Sequence, residues 1–142
     1  MKIVIDTNVL MSGIIFGGNP TRIIELLFSQ KISAFASPEM VNEYKRIYEE
    51  LSTKYSKRTH NEIGEIIQSI NVIPSHSHIE ICRDPDDNKF IECAVDNKCI
   101  YIVSGDKDLL VLERYEDIEI LTVSDFLKQY ETKQQESSTK KG

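Results

Sequence analysis

The run Lys2-Ile3-Val4-Ile5 is apolar after its first residue, rich in β-branched side chains and free of polar alternation. A strand with one wet face must alternate. One that does not is buried on both faces, the signature of a central strand in a sheet covered by helices. Ile100 to Val103 repeats this pattern, and shorter extended runs are read at Ser33 to Ala36, near Asn71 to Ile73, and at Ile118 to Leu121. Between them lie helical signals. Val9 to Phe16 reads as a buried helix ended by Gly17-Gly18. Asn19-Pro20 and Ser37-Pro38-Glu39 are helix starts, with Ile23, Ile24, Leu26 and Leu27 after the first and Met40, Tyr44, Ile47, Tyr48 and Leu51 after the second. A further helix is expected from about Ser56 to Ser69. Asp84-Pro85-Asp86-Asp87 forms a turn leading into Phe90, Ile91, Ala94 and Val95, and Ser124 is read as the cap of a last short helix through Tyr130. Strands and helices that alternate in this way specify right-handed crossovers and a mostly parallel sheet of about five strands, with functional sites outside the strands' carboxyl ends.

The 142 residues suit one domain, expected over 1–130, with a polar, disordered tail at 131–142. No apolar run approaches membrane-spanning length, so no membrane partner is expected. Asp6 interrupts what would have to be a secretory apolar segment, which points to a cytoplasmic protein. Cys82, Cys93 and Cys99 lack paired spacing and are expected to stay reduced. His60, His76 and His78 show no metal-ligand pattern.

Against that frame, the acids matter by position. Asp6 directly follows the first strand, Asp106 follows the Ile100 to Val103 strand through Ser104-Gly105, and Glu43 lies on or beside the apolar face of its helix. A glutamate half-buried there needs a partner. Asp84, Asp86 and Asp87 crowd one turn, and Asp87 is taken as the helix cap and as the best ligand of the three. Asp108 stands two residues beyond Asp106. Each acid has a plainer reading, as a cap or as a solvated charge. Together they outline an oxygen-ligand site for Mg²⁺ or Mn²⁺, ions that polarise phosphate and activate water for phosphodiester hydrolysis.

The formal net charge of −6 counts against tight unaided binding of nucleic acid, although cations at the acids would reverse the local sign. Lys45, Arg46, Lys54, Lys57 and Arg58, interleaved with Tyr44, Tyr48 and Tyr55, could contact single-stranded phosphate backbone and stack bases. A solvated helix face with core tyrosines is the alternative.

Taken together, Val4-Ile5-Asp6-Thr7-Asn8-Val9-Leu10, Ser37-Pro38 with Glu43, Arg83-Asp84-Pro85-Asp86-Asp87-Asn88-Lys89-Phe90, and Ile102-Val103-Ser104-Gly105-Asp106-Lys107-Asp108-Leu109-Leu110 resemble a PIN domain, and specifically the prokaryotic toxins of toxin–antitoxin systems. The resemblance covers the chain to Tyr130. It implies a three-layer α/β/α sandwich, Mg²⁺ or Mn²⁺ at the carboxyl edge of the sheet, and an endoribonuclease acting on single-stranded RNA. It also implies Asp6, Glu43, Asp87 and Asp106 at the family's acidic positions, Asn8 and Ser104 in supporting polar positions, and Asp108 as an auxiliary acid. A cognate antitoxin and a second copy of the chain, forming a dimer, are the candidate protein partners. The rival within this fold is a binding or regulatory protein with little or no catalysis. A haloacid-type phosphatase would need an acid where Asn8 stands, and a receiver domain needs an acidic pair that is absent.

Overall fold

The computed structural model describes residues 1–55 and 63–141, the last four by backbone alone. Its elements are β1 (Lys2–Ile5), α1 (Thr7–Ile15), α2 (Asn19–Phe28), β2 (Ser33–Ala36), α3 (Pro38–Tyr55), α4 (Ile63–Gln68) and β3 (Asn71–Val72). A short 3-10 turn (Pro85–Asp87) follows, then α5 (Asn88–Asp96), β4 (Tyr101–Val103), α6 (Lys107–Leu110), β5 (Arg114–Tyr115), β6 (Ile118–Leu121) and α7 (Val123–Lys141). The strands form one six-stranded sheet in the order β3-β2-β1-β4-β6-β5. All neighbours run parallel except the short edge strand β5, which pairs antiparallel with β6. Helices cover both faces.

The β1 residues Ile3, Val4 and Ile5 pair with Tyr101, Ile102 and Val103 of β4. These two strands fill the centre of the sheet, and five of the six residues are essentially sealed from solvent. That burial explains the missing alternation. The chain leaves β1 in one direction, towards β2 and β3, and returns to β4 on the other side. The gap between the carboxyl ends of β1 and β4 is therefore the topological switch point, where a crevice must open. The Asp6 amide extends the ladder by donating to the Val103 carbonyl at 2.9 Å, which fixes the direction in which the Asp6 side chain leaves the sheet.

Local punctuation follows the residues. Gly17 and Gly18 both have positive φ, and the Gly17 amide closes α1 on the Ser12 carbonyl, an ending that suits glycine. Ser37 caps α3 through the Met40 amide. At α7 the cap is Thr122, whose hydroxyl takes the Asp125 amide, rather than the expected Ser124. Beyond Tyr130, where disorder was expected, the chain stays helical to Lys141. Residues 131–137 are exposed on every side, and Glu131 pairs with Arg22 at 3.1 Å. The expected helix from Ser56 begins among residues outside the described set, and its described part is α4.

The connection from β3 to the 3-10 turn contains no strand. Side chains of α5 bind it instead. Asn88, Glu92 and Asp96, spaced four apart, share one helix face. Asn88 Oδ1 accepts from the Ile81 and Cys82 amides at 3.2 and 2.9 Å, and Glu92 Oε2 accepts from the Ile79 amide at 2.9 Å. Asp96 accepts from the His76 and Ser77 amides at 2.7 and 3.1 Å and from the Ser77 hydroxyl. The histidine loop is thus a strap on α5.

Candidate metal centre

Three loops deliver acids to the switch point. β1 delivers Asp6, β4 delivers Ser104, Asp106 and Asp108, and the 3-10 turn before α5 delivers Asp87. Glu43 reaches in from α3. One carboxylate oxygen each of Asp87, Asp106 and Asp108 lies within 4.8 Å of those of the other two. Oxygens around an octahedral Mg²⁺ stand roughly 3–4 Å apart, given metal–oxygen distances of about 2.1 Å, so a modest closure would let these three share an ion.

Each acid is held differently. Asp6 is buried and does not cap α1; its Oδ2 accepts from the Ser104 hydroxyl at 2.6 Å. Ser104 Oγ in turn accepts from the Asp106 amide at 2.9 Å, which links the ends of β1 and β4. Asp106 caps α6, its Oδ1 accepting from the Asp108 amide at 2.8 Å. Asp108 is half-buried, with Arg83 Nη1 3.6 Å from its carboxylate. Burial, joined by the Asp106 and Glu43 charges, raises the Asp6 carboxyl above its usual range in spite of the Ser104 bond.

Asp87 departs from expectation. It makes no capping hydrogen bond at α5. The cap of this turn is Asp84, whose Oδ1 accepts from the Asp86 amide at 3.0 Å, as a proline in the first turn favours. Asp87 Oδ2 is buried without a hydrogen-bond partner. Buried polar atoms in native folds are almost always satisfied, so an orphaned carboxylate oxygen facing other acids marks a place for a cation. Burial first, then the Asp106, Asp84 and Asp6 charges, push its pKa up to about 7. Among Asp84, Asp86 and Asp87, Asp84 is spent on the cap and Asp86 on a lysine, which leaves Asp87 free.

That lysine, Lys89, is the residue sequence reasoning missed. It is buried, and its Nζ lies 3.0 Å from Glu43 Oε1, 2.8 Å from Asp86 Oδ2 and 2.7 Å from the Asp86 carbonyl. Burial would lower its pKa, but the paired carboxylates outweigh that and hold it above the usual value. The Lys89 hydrogen bond is the main cause that lowers Asp86. The Thr7 hydroxyl donates to Glu43 Oε2. Here is the partner that a half-buried glutamate required.

Cys82 sits beside these acids. Burial and the neighbouring carboxylates push its thiol up to about 11, so it stays neutral in the metal-free protein. Asn8 is exposed and lines a groove of about 300 Å³ together with Ser12, Pro20, Asp106 and Val123. A roomier depression of about 490 Å³ lies between the strap and α5, with Lys89 and Glu92 in its wall. The first groove adjoins the acids directly. Of the basic residues, Lys45, Arg46 and Lys54 lie exposed on α3, Arg46 paired with Glu50 at 3.4 Å and Lys54 over the Tyr55 ring. Lys57 and Arg58 lie outside the described residues.

Comparison with known proteins identifies the family. A family model described as the PIN domain matches residues 2–108, a span that contains all the acids above. Uncharacterized protein MJ1680 of Methanocaldococcus jannaschii is 40% identical over 119 residues, covering 79% of this chain and 75% of that protein. Among the described residues, no helix is long and apolar enough to cross a membrane.

Proposed function

This chain belongs to the PIN-domain family, and from that membership we propose that it is a Mg²⁺- or Mn²⁺-dependent endoribonuclease that hydrolyses single-stranded RNA as the toxin of a toxin–antitoxin pair. The observation that carries the catalytic part is the buried, unpartnered oxygen of Asp87, whose carboxylate clusters with those of Asp106 and Asp108. Asp87, Asp106 and Asp108, with Asp6 behind them, are the residues that would hold the ion. A divalent cation there supplies Lewis-acid polarisation of the phosphate and lowers the pKa of water.

The chain's own groups do the rest. Ser104 donates to Asp6 and accepts from the Asp106 amide, so one hydroxyl sets the relative position of two acids from different strands. Asp106 is fixed through the Asp108 amide. Arg83, exposed beside Asp108, is placed to meet phosphate at the rim. Asn8 and Ser12 offer polar contacts in the groove where a nucleotide flanking the scissile bond would lie. The choice of RNA and the toxin role draw on the family resemblance and on the basic residues of α3.

The test is cleavage of a fluorescently labelled single-stranded RNA with Mn²⁺, with EDTA, and with Asp106→Asn. Displacing one ligand should cost on the order of a hundredfold in rate, as misplacement of reacting groups generally does. Full activity in EDTA would refute the metal reading. Mn²⁺ binding without cleavage would favour the binding-protein alternative. Growth arrest on expression, relieved by a small protein encoded beside this chain, tests the toxin role.

A further inference from the structure

We infer that Lys89 divides the acids of this centre into two sets, holding Glu43 and Asp86 out of metal coordination and leaving the ion to Asp87, Asp106 and Asp108 with Asp6 behind. The inference rests on the metal-nuclease reading and departs from the equal ranking of the acids that the resemblance implies.

An ammonium group has three donor protons. Those of Lys89 have three acceptors within 3.0 Å, namely Glu43 Oε1, Asp86 Oδ2 and the Asp86 carbonyl. The lysine side chain is only 4% exposed, which leaves little room for water to replace these acceptors. Both oxygens of Glu43 are also engaged, one by Lys89 and the other by the Thr7 hydroxyl. For Glu43 to bind an ion directly, it would have to break a buried ion pair and leave a buried ammonium short of a partner, a strongly unfavourable exchange. Asp87 offers the opposite case, since its oxygen has nothing to give up. The mutually close carboxylates are accordingly those of Asp87, Asp106 and Asp108, with Glu43 and Asp86 outside the group and Asp6 outside it too, bound to Ser104. Lys89 is a positioning residue: it fixes Glu43 at the edge of the centre as an acceptor for water or for the RNA, and it limits the negative charge presented to the ion.

Mn²⁺ titration calorimetry on the folded chain decides this. Glu43→Gln should bind Mn²⁺ within about threefold of wild type, whereas Asp106→Asn should weaken binding by about tenfold or more. Lys89→Met removes a positive charge close to the ion and releases Glu43, so it should tighten binding by about tenfold. Adding Glu43→Gln to it should cancel most of that gain, a coupling absent from the wild-type background. Lys89→Arg, still charged, should keep the wild-type affinity. A lysine that merely supports the fold would weaken Mn²⁺ binding when removed, and that result overturns the inference. So does a Glu43→Gln variant as impaired as Asp106→Asn, and this comparison suffices alone should Lys89→Met fail to fold by circular dichroism. Wild-type protein that binds no Mn²⁺ at all overturns the nuclease reading itself.

Discussion

In the metal-free protein, Asp87→Asn should stabilise the fold, and more so as pH rises. The rise of the Asp87 carboxyl from 3.8 to about 7 corresponds to about 4 kcal/mol between its two protonation states. Relaxation of the cluster and water penetration reduce the effect, so about 2 kcal/mol is the working figure. Because the folded value lies above the unfolded one, folding takes up a proton between pH 4 and pH 7. The contribution is fully present below about pH 4 and is lost as pH rises through 7. Asparagine cannot ionise and escapes that loss. In EDTA, the variant should therefore gain on wild type from roughly nothing at pH 4 to about 2 kcal/mol at pH 8, or about 4–8 °C in melting temperature for a chain of this size. Any offset from the buried amide is constant with pH and leaves the difference between the two pH values intact. Mn²⁺ should invert the order at pH 8, since it stabilises only the protein that binds it. Melts at several pH values measure all of this. A gap that stays flat from pH 4 to pH 8, or a variant that is less stable at pH 8 than at pH 4 relative to wild type, would show that Asp87 is not a strained acid.

Other consequences can be checked independently. A Cβ on Gly13 would stand 2.7 Å from Ile24 Cδ1 and 2.8 Å from the Pro20 carbonyl, so Gly13→Ala should cost about 1–3 kcal/mol in urea unfolding by forcing α1 and α2 apart. Tyr44, fully buried, donates to the Ile5 carbonyl at 2.6 Å, and Tyr44→Phe should lose about 1–2 kcal/mol with little change in secondary structure by circular dichroism. For Asp96, burial acts to raise the pKa, but the Ser77 and His76 donors outweigh it and hold it below the usual range. Its stabilising effect is therefore present at neutral pH and lost on acidification, and Asp96→Ala should cost about 1–3 kcal/mol at pH 7 but less near pH 3 in denaturant melts. Lys45→Ala/Lys54→Ala should weaken RNA binding similarly across oligonucleotide sequences and flatten its salt dependence by about one unit of slope per lost phosphate contact, with Mn²⁺ affinity unchanged.

The central strands were legible because burial on both faces leaves its mark in every residue of Ile3 to Ile5 and Ile100 to Val103. The edge strand Arg114–Tyr115 carries no such mark: two residues with one polar side chain do not form a pattern. Asp6 and Asp106 could be placed because they follow buried strands directly or within three residues. The role of Asp84 was also readable, since the proline after it sits at the first position of the turn, yet the longer helical phase of Phe90 and Ile91 drew attention to Asp87 as the cap. Lys89 escaped because lysines on helices usually face water. Its signal lay in the other half of the pair: a glutamate on the apolar side of α3 implied a buried cation, and Lys89 stands one turn before the fully buried Cys93 on α5. Such a pairing joins helices far apart in sequence, and helical periodicity describes one helix at a time.

The strap on α5 divides responsibility for one connection unequally between two segments. Most of what His76, Ser77, Ile79, Ile81 and Cys82 contribute to that contact is main-chain amide, which every residue except proline possesses. What Asn88, Glu92 and Asp96 contribute is side chain, and only the matching acid or amide offers an acceptor oxygen at the same reach. Deep substitution scanning should therefore find the loop permissive, apart from proline, the Ser77 hydroxyl and the core-packed Ile79 and Cys82, while the α5 face that reads it tolerates little. The exposed side chains of His76 and His78 add only long contacts to that face, 3.5 Å to Asp96 and 3.9 Å to Glu92, so at those positions the surface above α5 can diverge among relatives while the path of the chain beneath it stays fixed.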